Sequence, residues 1–374
     1  MPTDLRADEL ALRAARRVRA LAEMEAHGID ALLLGREANA RYVAGAQRLW
    51  TAGTRPFGPG CVVVRETGAV HLVSTWDVGI PDEIPHSNLF GITWNPGNLL
   101  AWVESIDGLK DARRIGTDSL TPRFARLLPK LFPSADIVDA EPAMEAARRV
   151  KTPEEVEAIR ASLSVAESAM CAAVAAVRPG VSERHLAAVF MHAMADQGVT
   201  TPATQRVAWV SCDPRPVGQR ADGTIGAGDL VAFDVGVVAG GYIGEVGRTW
   251  PASADAVDAS TRDLYRRVDA LFDQLLQACQ PGASCGALLG AYRVQGHALP
   301  SFPIATGLGL GFDVPVVTRH LPKTAEQERI DPGMVLAVTA YVTGDDSRAV
   351  LRKEAVSIEA DGPTVITSSP QWNS

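Results

Sequence analysis

No apolar run in the 374-residue chain approaches the roughly 18–20 residues that a membrane span needs, which argues against a membrane protein. The stretch Met1–Arg19 is polar and charged and has no apolar core of a secretory leader. Positive charge is also in deficit. The formal net charge is −8, which disfavours nucleic acid or an anionic membrane as the main partner. Cysteine is sparse: the five, at 61, 171, 212, 279 and 285, are scattered and form no Cys-x-x-Cys pair. They read as reduced thiols of a cytoplasmic protein, with Cys61 and Cys171 in the core. There is no low-complexity tract and no short repeat. What remains is an ordinary globular composition, 47% hydrophobic and 21% charged, over a length that suggests two domains.

The first domain reads as an α/β layer over residues 1–148. A helix is expected over 9–27, with apolar positions at Leu10, Ala14, Val18, Leu21 and Ala22 and a stop at Gly28. Ile29–Leu34, Cys61–Val64, Val70–Ser74, Arg114–Thr117 and Ala135–Asp139 read as strands. Helices are expected at Asn39–Gly45 and Thr121–Leu131, and residues 85–110 read as irregular with a Pro-Gly turn at 96–97.

The second domain, 149–374, reads as α+β. Thr152-Pro153-Glu154-Glu155 is a helix start, and Val156, Ile159, Leu163, Ala166, Met170, Val174 and Val177 form one buried stripe. A second helix starts at Ser182 and a third covers about 258–278, with a fourth at Ser284–Tyr292. Strands are expected at Gln205–Ser211, Ile304–Phe312, Met334–Tyr341 and Glu354–Ile358. The order helix-helix-strands occurs twice, which hints at a duplicated unit.

Residues 229–250 organise this half. They read as a β-hairpin reversing at Gly240-Gly241. With the turn centred on 239–240, Asp234 faces Glu245 at about 5 Å. Two facing acids repel, so the site needs a cation, a shared proton or water.

At this point the chain resembles the creatinase/prolidase/aminopeptidase P family, which has the pita-bread fold. The resemblance rests on Gly28-Ile-Asp-Ala-Leu-Leu-Leu, Asn39-Ala-Arg-Tyr-Val-Ala-Gly45, Val150-Lys151-Thr-Pro-Glu-Glu155, Gly228-Asp229 with Asp234, Gly236, Gly241, Tyr242, Arg248 and Thr249, and Pro332-Gly333-Met334-Val335. It implies an α/β N-terminal domain, an α+β pita-bread C-terminal domain and a homodimer. Peptidases of the family hold two metal ions with Asp, Asp, His, Glu and Glu. The resemblance carries these onto Asp234, Glu245, Thr306, Thr339 and Glu354, so two are kept, one is altered and two are lost. A substrate-side His falls on Val217, and a further His on Asp313. In creatinase-like dimers a loop closes the neighbouring site; the matching stretch is Leu49–Gly58, with Trp50, Arg55 and Phe57 as candidate substrate contacts.

The expectation is therefore a repurposed, metal-independent enzyme acting on a small molecule, by C–N hydrolysis or acid/base lyase or isomerase chemistry. Asp234, Glu245 and Glu354, with Asp313 assisting, are the acid/base or cation-holding set. Thr306, Thr339 and Tyr341 line the site beside Val217, Trp50, Arg55 and Phe57. No metal or other cofactor is expected. The rivals are a metal-dependent Xaa-Pro-type peptidase with a depleted ligand set and a non-catalytic binding module. His185 and His192 read as helix-face residues, and Arg319 and His320 as loop surface.

Overall fold

The computed structural model describes residues 9–46, 59–74, 77–93, 95–204, 207–211 and 223–372. Trp50, Arg55, Phe57, Val217 and Cys212 lie outside them. The chain divides into two compact units, with the division between Glu154 and Glu155 for the described residues.

The first unit carries a mixed sheet of six strands in the order β4-β3-β2-β1-β5-β6. These are β1 (Ala31–Leu34), β2 (Cys61–Val64), β3 (Ala69–Val73), β4 (Leu89–Phe90), β5 (Arg114–Thr117) and β6 (Asp136–Asp139). β1, β2 and β3 pair antiparallel, while β5 runs parallel to both β1 and β6. The helices are α1 (Glu9–Ala26), α2 (Glu37–Ala44), α3 (Pro96–Ser105), α4 (Pro122–Leu131) and α5 (Glu141–Arg149). The stretch expected to be irregular thus contains a helix. Asn95 caps α3, its side chain accepting from the Gly97 N–H at 2.9 Å with Pro96 in the first turn, so the Pro-Gly pair opens a helix and makes no turn. In α1 the buried row is Leu12, Arg16, Ala20 and Met24, whereas Leu10 and Val18 are exposed. The aliphatic stem of Arg16 fills a core position that a hydrophobicity pattern does not mark.

The second unit is built on an antiparallel sheet ordered β11-β10-β12-β13-β9-β8-β7, with β14 beside β13. Its strands are β7 (Ala208–Val210), β8 (Leu230–Ala239), β9 (Tyr242–Pro251), β10 (Ala305–Gly309), β11 (Gly311–Val317), β12 (Val335–Thr343), β13 (Ala349–Glu359) and β14 (Gly362–Val365). The expected single strand 304–312 is two strands, because Gly311 at φ +127° lets the chain reverse at Leu310. The helices are α6 (Pro153–Ala175), α7 (Glu183–Asp196), α8 (Ala259–Ala278), α9 (Gly286–Val294) and the short α10 (Pro322–Gln327). By length and hydropathy alone α6 would reach across a membrane, but half of its apolar window is buried in the unit, as in a core helix. Cys61 is buried, as expected, but Cys171 on α6 is exposed.

The four long helices of this unit cover one face of the sheet. Val231, Phe233, Val235, Val237 and Val246 pack with α6 and α7, and Leu336, Val338, Ala340, Val342, Val350 and Val356 pack with α8 and α9. Side chains alternate along a strand. Asp234 and Gly236 of β8, Glu245 and Gly247 of β9, Thr339 and Tyr341 of β12 and Lys353 of β13 therefore share the opposite face.

Candidate functional site

The hairpin turn is Gly240 (φ +57°) and Gly241 (φ +94°), the two-residue reversal that two left-handed glycines permit. This sets Asp234 opposite Gly247 and Glu245 opposite Gly236. The two acids are not directly opposed as expected; they are diagonal neighbours. The turn lies one position further along the chain than 239–240, so the register moves by two residues, and an even shift keeps both side chains on the same face.

The cation between them comes from β13. Lys353 pairs with Thr339 on one side and Gly247 on the other, so Thr339, Lys353, Gly247 and Asp234 form one row across four strands. Lys353 Nζ lies 2.5 Å from Asp234 Oδ1 and 3.5 Å from Glu245 Oε2. The two glycines make room. A Cβ at Gly247 would stand 2.9 Å from Lys353 Cβ, and one at Gly236 would stand 2.9 Å from Glu245 Cγ. The side chain of Glu245 is 4% exposed, that of Lys353 11% and that of Asp234 23%, so the cluster opens toward solvent on the Asp234 side.

Burial pushes the Glu245 carboxyl above its ordinary value; Lys353 opposes this and the Asp234 charge adds to it. Burial alone would lower the Lys353 pKa, but the Asp234 and Glu245 carboxylates outweigh it and hold the ammonium protonated well above its ordinary range. Two carboxylates face one ammonium, so the cluster keeps a surplus negative charge when all three are ionised.

Glu354 is not part of this group. It points to the helix-covered face, where it accepts from Arg248 Nη2 (2.9 Å), Arg352 Nε (2.9 Å), Gln371 Nε2 (3.1 Å) and the Thr367 hydroxyl. Adjacent strand residues point to opposite faces, so either Lys353 or Glu354 can reach the acids, and the pairing register selects Lys353. Glu354 is instead the buried anchor of the C-terminal segment. Glu167 helps it by accepting from the Ser368 and Ser369 N–H groups at 2.6 and 2.5 Å, and Trp372 lies 4.6 Å from the Tyr265 ring. Arg248 donates to the Lys353 carbonyl at 2.9 Å, which fixes β9 to β13 behind the cluster.

Thr339 is buried and Thr306 half-buried; Thr306 pairs with Ala337 and so shares the face of Thr339. Tyr341 follows two residues on and stacks edge-on against Phe302 at 5.2 Å. Its backbone N–H donates to the Tyr292 hydroxyl, which donates to the Thr339 carbonyl, both at 3.0 Å. Asp313 is buried on β11 opposite Gly307, next to a register shift after Thr306. β10 and β11 curl back to within 8 Å, Cα to Cα, of β9. His185, His192, Arg319 and His320 are exposed, as expected. The sequence offers Arg352 and Lys353, beside Glu354, as sources of the charge that the acids need, and the structure brings Lys353 to Asp234 and Glu245 while Arg352 pairs with Asp269 and Glu354. Only the β12–β13–β9 register gives Lys353 its direction.

A two-metal centre does not fit these residues. Thr306 and Thr339 offer neutral hydroxyls, and an ammonium stands between Asp234 and Glu245 at ion-pair distance. Among the described residues no group of three or more His, Cys, Asp or Glu side chains is placed to hold a metal ion.

Comparison with known proteins agrees with this architecture. Residues 157–362 match the model of metallopeptidase family M24, and residues 16–150 match the creatinase/prolidase N-terminal domain. An Xaa-Pro dipeptidase of Pyrococcus furiosus is 22% identical over 355 residues, covering 92% of this chain and 95% of that protein. A putative dipeptidase of Bacillus subtilis is 24% identical over 261 residues, covering 68% and 70%. The crystal structure of a prolidase from Pyrococcus horikoshii superposes with a TM-score of 0.76 at 19% identity, over 95% of this chain and 99% of that one. With a family match over more than half its length and a creatinase-type first domain, this pita-bread chain belongs to metallopeptidase family M24, within the creatinase/prolidase/aminopeptidase P group of hydrolase-like proteins.

Proposed function

We propose that the chain is a metal-independent, hydrolase-like enzyme that cleaves a C–N bond in a small molecule. The observation that carries this is Lys353, whose ammonium sits between Asp234 and Glu245 on the open face of the sheet. An ammonium held protonated is a poor nucleophile and a good electrostatic partner for negative charge developing on a substrate oxygen or nitrogen. Glu245, with its affinity for a proton raised by burial, takes one from the attacking water and returns it to the leaving nitrogen. Asp234 holds the ammonium in place. Thr339, Thr306 and Tyr341 supply hydroxyl groups to orient the substrate. A metal-dependent Xaa-Pro peptidase would need ligands where this chain has Thr306 and Thr339, and would need Glu354 beside the acids, where this chain brings Lys353. The same reading takes the protein as a cytoplasmic homodimer with no nucleic-acid or membrane partner.

Turnover of a panel of small amides, ureas and amidines by chelator-treated protein tests the proposal. Activity is expected to survive metal removal and to fall at least ~100-fold in Lys353→Met and in Glu245→Gln. Two bound metals per chain, with activity lost on chelation, would sink it. A second reading has one observation in its favour: Lys353 gives both acids an ion-pair partner from within the chain, without a substrate. Ligands that raise the melting temperature without being turned over would favour that reading, a non-catalytic binding module.

A further inference from the structure

The site's disagreement with a metal centre has its own physical content. Lys353 does not reach the acids as a loose surface side chain. Its strand is paired on both sides, its stem crosses Gly247 where a Cβ would stand 2.9 Å from its own, and its side chain is 11% exposed. The ammonium is thus delivered to a fixed point between two carboxylates. It is a monovalent charge against two negative ones, so it compensates the cluster only in part. Thr339 stands beside it in the same row, and Thr306 lies on the same face. Without the ammonium, this face would hold two largely buried carboxylates and two hydroxyl oxygens. These are hard oxygen donors, which suit Mn²⁺ or Mg²⁺.

We propose that Lys353 is a tethered cation filling a latent divalent-cation site, so that replacing its ammonium with a carboxylate opens the site to Mn²⁺. The idea shares the Lys353-centred cluster with the proposed function but not its chemistry. It is decided by cation binding alone, so a failure to find turnover leaves it standing, and a failure of cation binding leaves metal-free turnover standing.

The test compares wild type, Lys353→Glu, Lys353→Gln and the double variant Lys353→Glu/Asp234→Asn, all stripped with chelator. Mn²⁺ binding is read from the free-ion signal in electron paramagnetic resonance and from thermal unfolding. Lys353→Glu is expected to bind Mn²⁺ at least ~10-fold more tightly than wild type and to melt at rising temperature as Mn²⁺ is added, since a ligand of the folded state stabilises it. The double variant is expected to lose that gain. Lys353→Gln keeps both acids without adding a third, and is expected to fall between wild type and Lys353→Glu. If Lys353→Glu folds only when Mn²⁺ is present, that too supports the site. The proposal is overturned if folded Lys353→Glu and Lys353→Gln bind no better than wild type. It is equally overturned if wild type binds Mn²⁺ as tightly as Lys353→Glu does.

Discussion

Removing the ammonium at position 353 leaves Asp234 and Glu245 on a mostly buried face with no cation between them. Breaking a buried pair from one side costs about 3–5 kcal/mol, and the partial exposure of Asp234 places Lys353→Ala near the lower end, at about 3 kcal/mol at neutral pH. The loss depends on pH. The Lys353 pKa is raised in the folded chain, so its stabilisation is complete below the ordinary value of 10.5 and is lost as pH rises through the higher folded value. Urea unfolding of wild type and Lys353→Ala should therefore show a gap that is wide at neutral pH. The gap should close in strong alkali, and should narrow in acid as the carboxylates protonate. Glu245 carries the complementary prediction. Its folded pKa is raised, so the stability that goes with its proton is complete below pH 4.5 and is lost as pH rises through the folded value. Glu245→Gln should gain on wild type as pH increases from 4.5 upward, read from melting temperatures at pH 5 and pH 8. A difference that stays flat with pH would mean that burial does not raise this carboxyl.

At the scale of elements, the hairpin works because three of its glycines sit where a neighbour must come close. A Cβ at Gly244 would strike the Leu163 backbone nitrogen and come to 2.5 Å of the Ser162 carbonyl carbon, forcing α6 off β9. Ser162 meanwhile donates to the carbonyl of Ala239 or of Tyr242, at 3.2 and 3.1 Å, so the helix is pinned to the turn it approaches. Gly244→Ala should cost about 3 kcal/mol, at the upper end of overpacking penalties, because backbone cannot rotate away. Gly247→Ala presses on Lys353 and Leu351 side chains instead, and should disturb the cluster more than the fold. On the helix-covered face, Glu354 joins β13 to Arg248 and to the C-terminal segment. Glu354→Ala leaves Arg248 buried without its carboxylate and should cost about 3–5 kcal/mol. The same change should leave any metal-free turnover unchanged per folded molecule, because Glu354 faces away from Asp234 and Lys353. A loss of turnover in the folded fraction would return Glu354 to the catalytic set.

For the whole molecule, helix-helix-strands occurs twice in the second unit: α6, α7 and β7–β9, then α8, α9 and β10–β13. β13 closes the second run against β9 of the first, and the Lys353 cluster forms on that junction. The site therefore needs both runs folded. With the cation built into the chain, stability should not depend on added metal. Chelator should leave the melting temperature of wild type unmoved, and Mn²⁺, Zn²⁺ or Co²⁺ should not raise it. Light scattering after size exclusion should give twice the mass of the 374-residue chain if the expected homodimer forms.

Local rules were enough for much of the architecture. The 3.6-residue stripe of α6 and α8, the strands β1, β2 and β5, and the glycine-paired hairpin follow from spacing and turn chemistry that act over a few residues. That positions 306 and 339, where the resemblance places a histidine and a glutamate, are threonines is likewise plain in the chain. Pro96-Gly97 reads as a turn by local rules and opens a helix instead, because the same residues serve both and the buried Leu99, Trp102 and Val103 favour the helix. The identity of the site was beyond local rules. Whether Asp234 meets Glu245 directly or diagonally depends on which two residues make the turn. Whether Lys353 or Glu354 joins them depends on strand pairing more than 100 residues apart in sequence. A side chain changes face with every residue along a strand, so a motif fixes which groups are present, and the long-range register decides which of them meet.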